Sequence, residues 1–538
     1  MNTIYKHIIT LSLLPVLAAS CIREAIPTDR ATANEVTVET QITGMPAAMM
    51  MIGANGYGLP WEFALPAIHM ATDAMSGDVA ILGNIGYDWF FQWGTNTALG
   101  PDYAVGVLTW DNYYKWIKSA NAIIGGIDPA DISEKEKAFL GWAYVYRAIC
   151  YLDLVRLYEF KPNKYTEGEK VIGLGVPIVL PETTEEMAKN NPRALVSDIH
   201  AMIQEDMVTA EQLLLSYKAE SRYDITLGLV YGIRAKTYLD MACNDNKPET
   251  FALAAEYARK AITASGRTPL THEQWEDPSN GFNNINANNS WIWGLPLPSE
   301  QVDNLVGFTP HMSTEQTWSA YGFSVARGIN KNLYNSIPAG DFRKYSWLDP
   351  DLTIYSYKST RTDAKAYFAD ELPSYSNIKF RPAQGDYTDF KTGGAADHPY
   401  MRVEEMYFIE AEAKAHASLQ EGRNLLNTFM NSYRMMDGYK YDCTPKASTL
   451  KGFLNELMLM KRIEFWGEGI IMFDLKRLDM SSYRGYVGTN SPTSYRLNCD
   501  GRAPYWNFAI SRGETQNNTA LVGFNNPDPS DIIKPWTK

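Results

Sequence analysis

The longest patterned stretch of the sequence runs from Glu134 to Tyr158 and has the periodicity of a single α-helix. Ser133 and Glu136 have the spacing of a capping box at its first turn. Large apolar residues then recur three and four positions apart, which places them on one stripe of a helix. These residues are Trp142, Val145, Tyr146, Ile149 and Leu152. The pattern predicts a long helix with one buried side.

Shorter helical patterns recur along the rest of the chain. They cover residues 193–216, 227–242, 251–265, 402–418 and 422–433. In the third of these, Ala254, Ala255 and Ala258 flank Tyr257, and small residues at helical spacing let two helices approach closely. This texture is typical of tetratricopeptide-type helical hairpins. The predicted fold class is therefore mainly α, with a tetratricopeptide-like helical-repeat scaffold.

The pattern changes between about residue 280 and residue 399. Helical stripes fade there, while Pro, Gly, Asn and aromatic residues become dense. A long loop-rich stretch inside a compact domain is usually functional. Because no low-complexity linker interrupts the chain, we expect residues 35–538 to form a single domain with this loop-rich, aromatic insertion.

The N-terminus has the features of a secretory signal. Lys6 precedes an apolar run of about 12 residues, which suits a signal peptide and is too short for the roughly 20 residues of a membrane-spanning helix. The run ends in Leu-Ala-Ala-Ser before Cys21, which resembles a bacterial lipobox. We predict a lipoprotein signal peptide over residues 1–20, lipidation of Cys21 and a tether over residues 21–34, in preference to an ordinary secretory signal. No later stretch is expected to span a membrane.

Charge and cysteine content exclude several classes of ligand. The formal net charge of −13 argues against nucleic acid as a partner. The four cysteines after Cys21 show no CxxC or Cys/His spacing, so no zinc site is predicted. Cys150 is expected to be buried, and a bond between Cys443 and Cys499 stays open. No nucleophile elbow, metalloprotease helix or phosphate loop is present, and no metal or cofactor is predicted.

Glu464 and Glu468 can be interpreted either as catalytic residues or as members of a structural ion-pair network. Glu464 and Glu468 are four residues apart, so on a helix their carboxyl groups could have the separation that a glycosidase requires. Lys461, Arg462 and Asp474 are close in sequence, however, and ion-pair networks also bring carboxylates together. We favour the structural interpretation and predict no catalytic residue.

Aromatic residues outside the helical stripes are the strongest indication of a binding surface. Flat aromatic rings stack on sugar rings, and neighbouring polar groups can bond to hydroxyls. For any single residue, packing of a loop onto the body is the stronger interpretation, but the cluster as a whole favours ligand binding. The candidate ligand-binding residues are Trp89, Trp93, Asn96, Trp318, Tyr321, Arg343, Trp347 and Tyr355.

Several segments together resemble the SusD/RagB family of nutrient-binding outer-membrane lipoproteins. They are Trp110 to Asn121, Tyr146 to Tyr158 with Gly175 to Ile178 after it, Met401 to Ala413, and Lys461 to Gly469 followed by Phe473 to Arg477. The short run Asp341-Phe-Arg343 with Trp347 resembles a further family signature. In order and spacing these segments span most of the chain.

The resemblance implies a non-enzymatic protein that binds a nutrient, most readily an oligosaccharide, at the exterior of the outer membrane. It also implies a partner, a SusC-like TonB-dependent transporter that imports the ligand while the lipid anchor holds the protein to the membrane. Three alternatives stay open: a peptide-binding member of the family, a lipid-anchored glycan hydrolase using Glu464 and Glu468, and an assembly protein that holds peptides in helical grooves.

Overall fold

The structure is a computed structural model that describes residues 37–53, 58–83, 86–128, 130, 132–351 and 358–538. The predicted signal peptide, Cys21 and the tether over residues 21–34 lie outside the described residues. So does Tyr355.

The N-terminal half of the chain forms most of the helical scaffold. Its helices are α1 Val38–Met50, α2 Ala64–Ser76, α3 Trp89–Gly94, α4 Ala104–Gly106, α5 Asn112–Gly126, α6 Glu134–Tyr158, α7 Glu185–Ala188, α8 Val196–Leu214, α9 Leu227–Asp245 and α10 Pro248–Ser265. The predicted long helix is confirmed as α6, and its capping box forms between Ser133 and Glu136. The expectation of one buried side is wrong, because neighbouring elements bury α6 on all sides from Ala138 onward. Helix α10 begins with Pro248 at a position where a missing N–H costs nothing, and it ends at Gly266 in the left-handed conformation.

The insertion is built from short elements. The short helix α11 His272–Trp275 precedes it, and its own helices are α12 Phe308–Met312, α13 Ala320–Phe323, α14 Lys331–Asn335, α15 Ala364–Asp370 and α16 Phe390–Gly393. The strands up to its end are β1 Val79–Ile81, β2 Trp291–Leu295, β3 Arg327–Ile329 and β4 His398–Arg402. β1 pairs antiparallel with β3, with Val79 opposite Ile329, and β2 pairs antiparallel with β4, with Trp291 opposite Arg402. These ladders join the insertion to the N-terminal segment and to the scaffold.

The C-terminal part completes the scaffold. It contains α17 Val403–Ala417, α18 Leu419–Tyr433, α19 Leu450–Glu464, α20 Ile471–Arg477 and α21 Arg512–Asn517, with a small antiparallel pair of strands, β5 Ser482–Tyr483 and β6 Asn498–Cys499. Successive helices pack side by side in the order α5, α6, α8, α9, α10, α17 and α18. The mainly α fold with stacked helical hairpins is confirmed, and the insertion leaves this stack between α10 and α17.

The core runs through both scaffold and insertion. One cluster of buried apolar residues extends from Ile42 to Ile533, and a smaller one surrounds Leu348 and Phe368 inside the insertion. By length and composition, an 18-residue window of α6 is apolar enough to span a membrane, although the sequence analysis expected no such segment after the N-terminus. However, 94% of that window is buried in this core. Helix α6 is therefore a core helix of the scaffold.

The four described cysteines are free thiols, so Cys443 and Cys499 do not pair. Cys443 lies near the carbonyl of Arg423, whereas the Cys499 thiol lies 3.8 Å from the Tyr505 hydroxyl. Cys150 is fully buried in α6, as predicted.

Candidate functional site

The first group of predicted ligand-binding residues lies on and after α3. Asp88 caps this helix by accepting the N–H of Phe91, and its carboxylate also pairs with Arg327 of β3 at 2.7 Å. The cap therefore fixes α3 against the insertion. Trp89 stays partly exposed at the first position of the helix, whereas Trp93, one turn later, points into the core.

Trp93 and Asn96 are structural residues, which contradicts the prediction that they contact ligand. The Trp93 ring is fully buried and packs edge to face on Trp61 and Phe90, with centroids 6.2 and 5.2 Å away. Asn96 is 2% exposed, and its amide exchanges two hydrogen bonds with the backbone of Ile533. One residue therefore fills the core, and the other fixes the C-terminal segment.

Trp318 and Tyr321 differ in exposure, as Trp89 and Trp93 do. Trp318 is partly exposed, and its ring lies over Gly393, where a Cβ would approach the indole to 2.6 Å. Tyr321 is 3% exposed and stacks on His311 at 4.2 Å, so only Trp318 of this pair is available to a ligand on the surface. The Tyr321 hydroxyl donates to the carbonyl of Tyr87 at 3.4 Å and so links the two segments.

Arg361 joins two further aromatic residues of the insertion. Its guanidinium group lies over the rings of Tyr367 and Tyr387, at 3.6 and 4.7 Å from their centroids. The carbonyl of Tyr387 accepts the backbone N–H of Thr317 at 3.0 Å, which places this group beside Trp318. Tyr87, Trp89, Trp318, Tyr367 and Tyr387 are called the aromatic surface below. Sequence reasoning missed Tyr387 because it stands alone in a polar turn and no spacing pattern marks it.

Arg343 and Trp347 are also core residues, so the prediction that they contact ligand is wrong. Both side chains are fully buried. Trp347 packs edge to face on Trp466 at 5.5 Å. Arg343 pairs with Asp341 at 2.5 Å and with Glu464 at 2.9 Å. An arginine bound on both sides inside the core has no donor left for a surface ligand.

Glu464 lies at the centre of a buried ionic network, which is the arrangement that the structural interpretation of this residue expects. Its carboxylate accepts hydrogen bonds from Arg343, Arg402 and Arg434 at 2.7–3.1 Å. Burial by itself would raise the pKa of Glu464, but the three guanidinium groups outweigh it and hold that pKa well below its usual range. A carboxyl group that stays ionised and fully buried cannot protonate a glycosidic oxygen.

Glu468 belongs to the same network. It accepts from Arg402 at 2.8 Å and from the ammonium of Lys379 at 2.6 Å. Burial lowers the pKa of Lys379 to about 8 even though Glu468 opposes that effect. Because both glutamates are enclosed by cations and buried, a hydrolase mechanism through Glu464 and Glu468 has no access to substrate. Among the described residues, no group of three His, Cys, Asp or Glu is placed to hold a metal ion.

Two family models match the two ends of this architecture. A SusD-like model, described as starch-binding and associating with the outer membrane, matches residues 63–239. A second model, described as the SusD family, matches residues 349–527. The chain belongs to the SusD/RagB family. No curated protein matches this chain.

Solved structures of SusD proteins share the fold at low sequence identity. A SusD-like carbohydrate binding protein from Bacteroides vulgatus has a TM-score of 0.68 at 20% identity, covering 91% of this chain and 98% of that one. A SusD superfamily protein from Bacteroides thetaiotaomicron has a TM-score of 0.66 at 18% identity, covering 91% and 100%. Surface glycan-binding protein A from Bacteroides uniformis has a TM-score of 0.62 at 17% identity, covering 91% and 98%. At these identities the likeness establishes the fold alone.

Proposed function

We propose that this SusD/RagB protein binds an oligosaccharide on its aromatic surface and passes it to a SusC-like TonB-dependent transporter. The observation that carries the proposal is the partly exposed Trp318, whose ring lies against Gly393. Two solved relatives named for carbohydrate or glycan binding support the class of ligand.

The chemistry of the aromatic surface suits a sugar. Trp318 and Trp89 offer flat apolar faces, while Arg361 is held by Asp363 and the carbonyl of Glu315. Aromatic faces bury the C–H side of a sugar ring, and this stacking needs no charged group on the ligand. The Asp88–Arg327 pair joins α3 to β3, and Arg327 also donates to the carbonyl of Tyr321 in α13, so the surface is held in place before ligand arrives.

The protein is proposed to bind its ligand without cleaving it. The glutamate pair that could have supported hydrolysis is buried, and the protein matches a family of binding proteins. A peptide ligand is the alternative that the same surface could serve, so the test includes peptides.

The proposed location is the exterior of the outer membrane, with the protein attached through acyl chains on Cys21. Stable attachment needs more than one chain, as a diacylated and N-acylated cysteine provides. We expect Cys21→Ser to abolish incorporation of labelled palmitate and to release the protein from the membrane fraction. Cleavage of the wild-type protein by protease added to intact cells would support exposure at the cell surface, and complete protection would contradict it.

The test of the site compares Trp318→Ala with Tyr483→Ala. Tyr483 is 54% exposed on β5 and lies outside the aromatic surface, so it controls for loss of any exposed ring. The protein can begin at residue 22, because every described core residue lies at or beyond Ile42. By calorimetry we expect Trp318→Ala to weaken glycan binding at least ten-fold, about 1.4 kcal/mol, and Tyr483→Ala to leave it unchanged.

Equal affinity of the wild-type protein and folded Trp318→Ala would remove the aromatic surface from the account. Folding is checked by the unfolding midpoint of each variant.

A further inference from the structure

A cavity lies on the helical scaffold, away from the aromatic surface. It has a volume of about 500 Å³ and opens between the start of α8 and the end of α9, with residues 159–173 as its third wall. None of the residues that line it belongs to the aromatic surface. Pockets that hold small molecules have volumes of roughly 300–1,000 Å³.

Large apolar side chains form much of the wall of this scaffold cavity. Phe160 and Met241 line its sides, while Ile172 and Leu195 form its rim and are 52% and 51% exposed. Two large aliphatic side chains left half in water beside a concave surface are typical of a binding site. The rim is held rigidly, because the backbone N–H of Val196 donates to the carbonyl of Gly173 at 2.9 Å.

His200 supplies a polar group at the bottom of the cavity. Its side chain is 3% exposed and lines both this cavity and a small space of about 20 Å³ beneath it. Within the described part of the chain, neither ring nitrogen of His200 has a hydrogen-bond partner. Burial lowers the pKa of His200, so at neutral pH the ring offers one donor and one acceptor.

The charged groups around His200 already have partners. Lys161 pairs with Glu159 at 2.7 Å, and Arg156 pairs with Asp240 at 2.5 Å. Asp245, at the mouth of the cavity, accepts hydrogen bonds from the backbone N–H of Lys247 and from the hydroxyl group of Thr250. Among the described residues that line the scaffold cavity, the charged side chains therefore have partners, whereas the neutral ring of His200 does not.

We propose that the scaffold cavity binds a neutral amphipathic small molecule, an aromatic or aliphatic alcohol whose hydroxyl group bonds to His200. A hydroxyl can donate to one ring nitrogen or accept from the other, and the apolar body of the molecule would be enclosed by Phe160, Met241 and the rim. This site is separate from the proposed glycan surface and does not depend on it.

The test uses ¹⁹F NMR of two probes that differ in one hydroxyl group, 4-fluorobenzyl alcohol and 4-fluorotoluene. We expect the alcohol to bind the wild-type protein saturably, with a Kd of about 1 mM, and at least ten-fold more tightly than the toluene. His200→Phe should remove this preference, because it keeps an aromatic ring and deletes both polar nitrogens.

Two tryptophan variants check the location. Ser197, at the cavity wall, is exposed on the first turn of α8, so Ser197→Trp should fill the mouth and weaken binding of the alcohol at least ten-fold without disturbing the core. Ser119→Trp, at an exposed serine on α5, should leave binding unchanged. Absence of saturable binding, equal affinity for the two probes, or full binding by Ser197→Trp would overturn the proposal. Because Ser197 is exposed, the test stands even if His200→Phe does not fold.

Discussion

Replacing Glu464 by glutamine should destabilise the protein strongly, because this carboxylate balances a buried set of charges. The network contains four cations and four anions. They are Arg343, Lys379, Arg402 and Arg434 with Asp341, Glu404, Glu464 and Glu468. Glu464→Gln leaves this set with an uncompensated positive charge and turns one acceptor oxygen into a donor that faces arginine donors.

The magnitude follows from the hydrogen bonds that are lost. One Glu464 oxygen accepts from Arg343 at 2.9 Å and from Arg434 at 2.7 Å, and an amide nitrogen in its place accepts neither. Hydrogen bonds to charged groups contribute about 1.5–3 kcal/mol each, and breaking a buried ion pair costs about 3–5 kcal/mol. We therefore expect the free energy of unfolding to fall by about 4 kcal/mol.

Urea unfolding followed by circular dichroism measures this loss as a lower midpoint with an unchanged slope. Glu39→Gln is the matched control, since it removes an exposed carboxylate that pairs with Lys135, and the midpoint should barely move. A Glu464→Gln protein as stable as the wild type would refute the account of the network. Loss of a hydrolytic activity in a fully folded Glu464→Gln protein would revive the catalytic interpretation.

Two further predictions concern acid stability and helix packing. The ring of His69 is buried and lies 2.9 Å from the ring of His398. Burial lowers the pKa of His69 from 6.5 to about 3, so between these pH values the unfolded chain binds a proton at His69 and the folded protein does not. Stability should fall as pH drops from about 6.5 towards 3, by up to about 5 kcal/mol from this group, and urea midpoints across pH should fall less steeply for His69→Asn. Gly422→Ala should cost about 1–3 kcal/mol, because its Cβ would meet that of Ala415 at 2.5 Å where α17 and α18 cross. Gly126→Ala, where nothing lies within 4 Å, should not destabilise, and equal unfolding midpoints for the two glycine variants would contradict this packing argument.

The helices could be predicted because their signal is local. The stripe from Trp142 to Leu152 and the capping box at Ser133 determine α6 without help from the rest of the chain. The order of packing could not be predicted in the same way. Helix α10 contacts α17 across more than a hundred intervening residues, and no periodicity within either helix indicates its partner.

The sequence indicated which segments are rich in aromatic residues, but not which of those residues are buried. Trp89 and Trp93 are the same residue type on the same face of α3, with ring centroids 6.3 Å apart, yet packing against Trp61 and Phe90 buries only Trp93. Arg343 looked suited to bind hydroxyls, but its partner Glu464 comes from a helix about 120 residues later. Composition shows how many aromatic and charged groups a segment carries, whereas tertiary contacts decide which of them reach solvent.

We propose that this SusD/RagB protein captures a glycan and leaves it intact. The most direct measurement is a calorimetric titration of the chain from residue 22 against oligosaccharides and peptides, with each mixture then analysed by chromatography for products. We expect saturable binding of at least one oligosaccharide, which is recovered unchanged. Cleavage products, or binding confined to peptides, would contradict it.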